Sequence, residues 1–344
     1  MRRAMNSCSA RAVAAALGLA LSLAAGRATA GEKMHIGMPV EPPNLVHLTA
    51  WLAQDLGYFK EEGLDAKITG FRGGVAAHQA LVAAGSDLDT GYMPGPLLFI
   101  GSAKGSRMKA LWSMAAKNEA VLIAAPEIKS VKDLKGKKVA IEGIGGYSHI
   151  GFLSVAEPAG LTDKDVDYVR ATPPQRLPFL LQGNVDAVVT HVEEFYRLQR
   201  EKPVHELGRI WRAQPHYLYG AYPAHEEKLK EKRGAFVKFV RAMIKANRFA
   251  YQNKDKALDI AEKYTKQPRW ALEKAYDVFV QEHIWTVNAG LPRKTVEWTN
   301  DLNEKMKQYE GPKPSVERLA DFTVAQDAVK SLGGPLGPPH DPEY

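Results

Sequence analysis

Cysteine is almost absent from this sequence, with one residue, Cys8, among 344. It precedes an apolar run at residues 13–25, and no cysteine follows that run. The rest of the chain therefore has no disulfide, no thiolate metal site, no cysteine nucleophile and no cysteine for a lipid anchor. Such a chain depends on its hydrophobic core alone, and it is long enough for two domains.

Long hydrophobic runs are also absent. The run at residues 13–25 is too short to span a bilayer well, and no charged stop-transfer segment flanks it. Arginines precede it and Ala28-Thr29-Ala30, a small-x-small cleavage sequence, follows it. These features predict a secretory signal peptide over residues 1–30, removed after Ala30, and an exported, periplasmic chain that starts at Gly31.

Charge of one sign does not dominate. The formal net charge is +7, but four of the positive charges are arginines within the first 30 residues, which contain no acid, so +3 remains after cleavage. Basic and acidic residues are well mixed along the remainder. The composition therefore gives no reason to expect a nucleic-acid partner.

Motifs of catalysis and metal binding are missing as well. The glycines at 143, 145 and 146 lack the GxGxxG spacing of a nucleotide site, and no serine nucleophile elbow is present. His149 and His191 do not form a close pair with metal-ligand spacing. The sequence predicts no metal, no cofactor and no enzymatic activity.

What the sequence does contain is an alternation of short β-type runs and helical runs, which indicates α/β layers with parallel strands. A second, similar series begins near Ser130. The segments 83–90 and 181–188 correspond across the two series, although such a helix-to-strand turn also recurs by chance. The predicted strands are His35–Val40, Asp65–Phe71, Leu88–Met93, Lys137–Glu142, Asp167–Ala171 and Asp186–His191. The predicted helices of the two series are Leu48–Gly57, Val75–Ala84, Ser148–Ala159 and Arg176–Gln182.

The last third is predicted to be mostly helical, with apolar residues at helical spacing. We expect a discontinuous first lobe of residues 31–125 plus 223–310, and a second lobe of residues 126–222. Connections near Ala120–Pro126 and Tyr217–Pro223 then act as a hinge. Residues 311–344 are predicted to be a Pro/Gly-rich tail, mobile or draped on the surface. The predicted late helices are Phe236–Tyr251, Lys256–Thr265, Trp270–Trp285 and Thr295–Gln308.

Three segments carry a resemblance to a known family. They are residues 43–47 (Pro-Asn-Leu-Val-His), residues 51–65 with the string Gly-Tyr-Phe-Lys-Glu-Glu-Gly-Leu-Asp, and residues 130–139, supported by Gly183-Asn184-Val185-Asp186-Ala187. The chain resembles periplasmic solute-binding proteins of the nitrate/sulfonate/taurine (SsuA) and THI5/NMT1-like group. The resemblance implies a type 2 two-lobe α/β fold that captures a small molecule between its lobes. It also implies an ABC permease as partner, and we expect a monomer.

Four predicted loops at strand ends are expected to line the cleft between the lobes. In the first, Glu41, Asn44 and His47 are candidates; Asn44 alternatively caps the next helix and His47 packs on its first turn. In the second, Arg72 is expected to clamp a carboxylate or sulfonate beside Gly73, or else to be a surface arginine beside a turn.

The third and fourth loops supply further candidates. Tyr92 and Met93 form an apolar wall, unless Tyr92 belongs to the core. Between a strand and a helix, glycines followed by a serine are expected to present free N–H groups and a hydroxyl to an anion, the alternative being an ordinary serine N-cap. The candidates of this fourth loop are Gly145, Gly146, Tyr147, Ser148 and His149.

Two weaker candidates complete the predicted site. His191, with Glu193 and Glu194, follows the next strand, and Tyr219 lies in an aromatic cluster with Tyr217 and Tyr222 at the return hinge. These tyrosines stack on a planar ligand or pack between the lobes, and the sequence does not separate the two.

The ligand predicted from these residues is a small organic anion, a sulfonate or an aromatic or aliphatic carboxylate. The alternative is a pyrimidine related to thiamine, since residues 43–47 are similar to a Pro-Asn-x-x-His of the pyrimidine-binding branch. Glu41 and Glu194 are then the partners of a ring amine. Two rival classes remain open: a THI5-like enzyme on the same fold, which the signal peptide disfavours, and an extracytoplasmic ligand sensor for a signalling receptor.

Overall fold

Three sheets form the framework of the described part of this mixed α/β protein. The computed structural model describes residues 31–344, and the predicted signal peptide lies outside them. The strands are β1 Glu32–Met38, β2 Leu64–Gly70, β3 Thr90–Gly91, β4 Met93–Pro94, β5 Met108–Trp112, β6 Val121–Ala124, β7 Lys138–Ile141, β8 Asp167–Arg170, β9 Ala187–Thr190, β10 His205–Arg209 and β11 Gly220–His225. The five-stranded sheet has the order β10-β6-β9-β7-β8, and the other two sheets have the orders β2-β1-β3 and β4-β11-β5.

Helices cover the sheets and dominate the last third of the chain. The longest of those described, Glu226–Gln252, is interrupted at Lys232, where the backbone leaves helical geometry. None of the helices within residues 31–344 combines the length and apolar character that a membrane crossing requires. The α-helices are Thr49–Asp55, Tyr58–Glu61, Gly74–Val82, Gly95–Ala103, Tyr147–Ala156, Pro173–Leu181, Val192–Glu201, Ile210–Ala213, Glu226–Gln252, Lys254–Thr265, Arg269–Gln281, Arg293–Lys305, Val316–Leu319 and Thr323–Ser331. Short 3₁₀ turns are Leu45–Leu48, Val131–Leu134, Glu157–Ala159 and Asp163–Asp165.

The pairing of strands divides the described chain into two lobes. The first lobe contains β1–β5 and β11 with the late helices, and the second contains the five-stranded sheet β6–β10. Strands β7, β8 and β9 pair in parallel, whereas β6 and β10 are antiparallel to their neighbours, so the second sheet is mixed rather than wholly parallel. Central strands β6 and β9 are buried over their whole length, because helices cover both faces of the sheet.

Two strands lie outside the predicted lobe limits. The predicted first lobe runs to residue 125, yet β6 pairs with β9 and β10 and so belongs to the second sheet. The predicted second lobe runs to residue 222, yet β11 pairs with β4 and β5 of the first lobe from Gly220 onward. Backbone hydrogen bonds between segments far apart in sequence place β6 and β11 in their sheets. The local sequence does not predict such pairing.

The regular elements expected in the two series are present, with ends that differ by up to three residues. The exception is the predicted strand Leu88–Met93, which divides into β3, paired with β1, and β4, paired with β11. The break falls at Tyr92, a buried residue of the cleft described below. Strands β5, β6, β10 and β11 are not predicted from the sequence.

The prediction of a tail over residues 311–344 is wrong for much of that segment. Two helices lie within it, and the second, Thr323–Ser331, packs against the long helix Glu226–Gln252. The residues beyond them are irregular, as the Pro/Gly composition predicts, but they are held in place. The backbone N–H groups of Val287 and Asn288 donate to the Tyr344 carbonyl, and the Asn288 side chain donates to carbonyls of this segment.

A buried asparagine joins three segments of the first lobe. Asn247, on the longest helix, donates through Nδ2 to the carbonyls of Met114 (3.1 Å) and Thr286 (2.8 Å). Its Oδ1 accepts from the Thr49 hydroxyl at 2.7 Å. The residue is completely buried, so each of these groups depends on it for a partner.

Replacement of Asn247 by alanine is therefore expected to lower the free energy of unfolding by about 2–3 kcal/mol, because buried carbonyls lose their donors. Urea unfolding followed by far-UV circular dichroism measures the change. Asn184→Ala, at an exposed turn, is the matched control and is expected to shift stability by less than about 0.5 kcal/mol. Equal losses in both variants would contradict this account.

Candidate functional site

A cleft opens where loops of both lobes meet, at the carboxyl ends of β1, β7, β8 and β9. Ligands of open α/β sheets bind at this position. The cleft has a volume of about 700 Å³, counting its open mouth. It is lined by Pro39, Val40, His47, Gly74, Val75, Tyr92, Pro94, Leu97, Glu142, Gly143, Ile144, Gly146, Tyr147, Pro173, Arg176, His191 and Tyr219.

Five rings pack together in the wall of this cleft, and we call them the aromatic cage: His47, Tyr92, Tyr219, Tyr147 and His191. Taken in that order, successive ring centroids lie 5.5, 5.7, 5.3, 5.7 and 5.8 Å apart. The centroids of His47 and Tyr219 are also only 5.9 Å apart, so the rings contact one another as well as the cleft. Two rings come from the first lobe, two from the second and one from the segment that returns to β11. The cage therefore forms only when both lobes are folded and in contact.

A buried ion pair holds one ring of the cage, His191. The Glu119 carboxylate lies 2.6 Å from His191 Nδ1, and Glu119 is fully buried. Burial by itself lowers the pKa of His191, but the adjoining Glu119 carboxylate, with Glu194 and Glu193, outweighs it and raises that pKa to about 9. His191 is therefore an imidazolium at neutral pH, and its ring lies nearly parallel to Tyr147 at an angle of 13°.

Two glutamates in the first turn of the helix Val192–Glu201 connect the lobes. Glu193 Oε1 accepts from the backbone N–H of Leu45 at 3.0 Å, and Glu194 Oε1 lies 3.5 Å from Asn44 Nδ2. Burial raises the pKa of Glu193 to about 7, with His191 acting in the opposite direction. Burial likewise acts to raise the pKa of Glu194, but His191 and the Thr190 hydroxyl hold it below the ordinary value.

The polar part of the cleft wall is formed by Arg176 and Glu142. Arg176 is only 4% exposed; it donates to the Val189 carbonyl at 2.9 Å, and its guanidinium carbon lies 5.4 Å from the centre of the Tyr147 ring. Burial raises the pKa of Glu142, while Arg176 and Arg170 act to lower it. The wall of the second lobe therefore carries two cationic groups, Arg176 and His191.

Several buried polar atoms of the site have no partner among residues 31–344. They are His47 Nδ1, Tyr92 OH, Tyr147 OH and Glu193 Oε2. Burial, followed by the charge on His191, holds the pKa of His47 well below its ordinary value, so this ring is neutral. Burial also raises the pKa of Tyr147 and Tyr219 well above the ordinary value, and both phenols stay protonated. The cage thus combines apolar faces with hydrogen-bonding edges.

Six of the predicted site residues line the cleft: His47, Tyr92, Gly146, Tyr147, His191 and Tyr219. Asn44 and Glu194 lie behind the wall, in contact with each other. Met93 is fully buried in the core of the first lobe. Arg72 and Glu41 are exposed and not part of the lining, so the structure does not support Arg72 as the ligand clamp.

The glycines and polar residues of the second and fourth loops have other contacts. Gly73 faces the Glu142 carboxylate so closely that an added Cβ would lie 2.5 Å from Oε1, and its φ of +129° favours glycine. Gly145 faces Gln308 of the first lobe. Ser148 Oγ accepts from the Glu142 N–H at 2.9 Å, and His149 Nδ1 accepts from the Gly145 N–H at 3.0 Å. Both side chains hold the loop in place and do not line the cleft.

Three charged residues of the site are missed by sequence reasoning: Arg176, Glu142 and Glu119. Arg176 lies in the first turn after β8, because the helix begins at Pro173 with Thr172 and Gln175 forming a capping box. The same strand-end rule that points to the other loops could have identified it. Glu119 has no comparable signal, since its role depends on His191, 72 residues further along the chain.

A model of one protein family matches the part of the chain that contains most of this site. The NMT1/THI5 like family model matches residues 44–257, which include the cage and both cationic groups. The chain belongs to the NMT1/THI5-like family.

Relatives and solved structures agree with this family assignment at the level of fold. A candidate thiamine biosynthesis protein of Haemophilus influenzae is 30% identical over 156 residues, which are 43% of this chain and 47% of the relative, so the chain spans about half of that protein. The nitrate-binding protein NrtA of Synechocystis has a TM-score of 0.73 at 13% identity, covering 88% of this chain and 89% of its own. The aliphatic sulphonate-binding protein SsuA of Escherichia coli has a TM-score of 0.67 at 18% identity, covering 86% and 99%.

The Glu119–His191 pair predicts a defined pH dependence of stability. Because the His191 pKa is raised, its contribution is complete below about pH 6.5 and is lost as the pH rises through about 9. The free energy of unfolding is expected to fall by about 2 kcal/mol between pH 7 and 9. Glu119→Gln keeps the shape but removes the charge, so it is expected to abolish most of this decrease.

Urea unfolding at pH 7 and 9, with an NMR titration of His191, measures both effects. Glu231→Gln, at an exposed site, is the control and is expected to keep the wild-type pH dependence. An unchanged slope in Glu119→Gln would show that His191 is not the titrating group.

Proposed function

We propose that this chain is the periplasmic solute-binding component of an ABC importer, and that its cleft encloses a flat aromatic molecule bearing a carboxylate or sulfonate. The observation that carries the proposal is the aromatic cage with Arg176 and His191 beside Tyr147. In this proposal the rings contact the flat part of the ligand, and the two cations, Arg176 and His191, bind its charged group.

The cage favours an aromatic ligand over a small aliphatic one. Its five rings are buried, with Tyr147 and Tyr219 the most exposed at 8%, and all five contribute to the cleft wall. Aromatic rings interact best with a second π-system, by offset stacking or edge-to-face contact. The unpartnered hydroxyl of Tyr147 adds a directional hydrogen bond at the edge of its ring.

The charged group of the ligand is assigned to the second lobe. Arg176 and His191 both lie within 6 Å of the centre of the Tyr147 ring. A guanidinium binds a carboxylate or sulfonate with two parallel hydrogen bonds, and an imidazolium N–H adds a third charge-assisted donor. In a buried site each such bond is stronger than in water.

Capture and delivery follow from the two-lobe arrangement. Rotation of one lobe against the other closes the cleft and brings both walls onto the ligand. A permease that binds the closed shape better than the open one converts ligand binding into docking. The predicted signal peptide supports a periplasmic location, and the names of the sulphonate- and nitrate-binding neighbours support transport of an anion.

A pyrimidine related to thiamine is the second candidate ligand. The Glu142 carboxylate lines the cleft and can accept hydrogen bonds from a ring amine. The neutral His47 ring offers its unpartnered Nδ1. The family assignment and the name of the Haemophilus influenzae relative support this candidate as well.

Calorimetric titration of the mature chain tests both candidates with four probes: benzoate, benzenesulfonate, taurine and 4-amino-5-hydroxymethyl-2-methylpyrimidine. We expect the two benzene compounds to bind more tightly than taurine. Arg176→Gln is expected to weaken their binding by about 10- to 100-fold, because a charge-assisted hydrogen bond is lost. Arg72→Gln, outside the cleft, is the matched control and is expected to bind like the wild type.

Other outcomes distinguish the alternatives. Binding of the pyrimidine alone, weakened by Glu142→Gln and not by Arg176→Gln, would replace the first candidate with the second. Taurine binding as tightly as benzenesulfonate would contradict the role of the cage. NMR of the probe after incubation separates binding, in which it is recovered unchanged, from an enzymatic reaction that consumes it.

A further inference from the structure

We infer that His149 is a positioning residue for the cleft loop 143–146, and that Asp163, outside the cleft, fixes it in the tautomer this role requires. His149 is 1% exposed, whereas the Asp163 side chain is 54% exposed. Neither residue lines the cleft. The inference rests on the proposed function, because the loop affects affinity only if the cleft takes a ligand.

The hydrogen bonds around His149 determine which ring nitrogen carries the proton. The backbone N–H of Gly145 lies 3.0 Å from Nδ1, and since this group can only donate, Nδ1 must accept. The proton of the neutral ring is therefore on Nε2, which lies 2.7 Å from Asp163 Oδ1 and donates to it. The opposite tautomer would direct two N–H groups at each other at Gly145.

Asp163 is held in the form that accepts from His149. The Tyr168 hydroxyl donates to the same carboxylate oxygen at 2.6 Å, and the His149 and Tyr168 rings meet edge to face. Partial burial acts to raise the pKa of Asp163, but the bonds from Tyr168 and His149 outweigh it and lower that pKa. The carboxylate is thus ionised and accepts both hydrogen bonds.

The loop needs this support because of its own backbone. Gly145 has a φ of +74°, a conformation that aims its N–H inward at His149. Its neighbours Gly143, Ile144 and Gly146 line the cleft, as does Glu142, whose own N–H is held by Ser148. Two successive side chains of the helix Tyr147–Ala156 therefore hold both ends of the ligand-facing loop.

Two substitutions of His149 separate the roles of its nitrogens. In His149→Asn the side-chain oxygen lies near the former Nδ1 and can still accept from Gly145. His149→Gln reaches toward Asp163 instead and provides no acceptor at the Nδ1 position. We expect hydrogen exchange of the Gly145 amide to accelerate by about fivefold or more in His149→Gln and by less in His149→Asn, since only the first loses the hydrogen bond.

Substitutions of Asp163 test its control of the tautomer. Nitrogen-15 NMR of the wild type is expected to find His149 protonated on Nε2 and not on Nδ1. Asp163→Ala is expected to increase exchange at Gly145, and Asp163→Asn, which retains an acceptor oxygen, is expected to restore it. Asp167→Ala, an exposed aspartate four residues away, is the matched control and is expected to behave like the wild type.

These measurements need no ligand, so they stand apart from the proposed function. A proton on Nδ1, or equal exchange at Gly145 in the wild type and His149→Gln, would overturn the inference even if benzoate binds. If the tautomer and the exchange rates are as expected and none of the four probes binds, the proposed ligand class fails alone. Where a probe does bind, its affinity is expected to fall by about fivefold or more in His149→Gln and to recover in Asp163→Asn relative to Asp163→Ala.

Discussion

The buried pair of Glu119 and His191 is the interaction on which the architecture of the cleft depends. A carboxylate that is fully removed from water is tolerated only beside an opposite charge and hydrogen-bond donors. His191 supplies the charge at 2.6 Å, and the backbone N–H of Val192 supplies a further donor at 3.4 Å. Since Glu119 lies just before β6 and His191 just after β9, the pair fixes the end of the second sheet that faces the first lobe.

The rest of the site follows from the position of His191. Its ring lies against Tyr147 and, on another side, against His47 of the first lobe. The positive charge holds the pKa of Glu194 down and contributes to the low pKa of His47. The charge on His191 thus favours the ionised form of Glu194, behind the cleft wall, and the neutral form of His47, within the wall.

The sequence predicts the strand-and-helix framework well where apolar runs are bounded by turn residues, as in β1, β2, β7 and β9. It fails for β4, which has two residues, and for β10, in which charged residues interrupt the apolar pattern. The strand-end rule finds six lining residues, among them Tyr147 and His191. It misassigns Ser148 and His149, because the same donors and acceptors that suit an anion also suit a neighbouring backbone N–H. Only the hydrogen-bond partner distinguishes these two roles. For both side chains that partner is a backbone N–H of the chain itself.

Closure of the cleft is linked to the same buried groups. Glu193 and Glu194 belong to the second lobe, yet they contact the N–H of Leu45 and the side chain of Asn44 in the first. In the closure that we propose, a rotation that opened the cleft would break both contacts. Burial raises the pKa of Glu193 to about 7, so contact with the first lobe favours the protonated form of this carboxyl group. We therefore expect mild acid to favour the arrangement in which the lobes are in contact, and a rise in pH above 7 to weaken it.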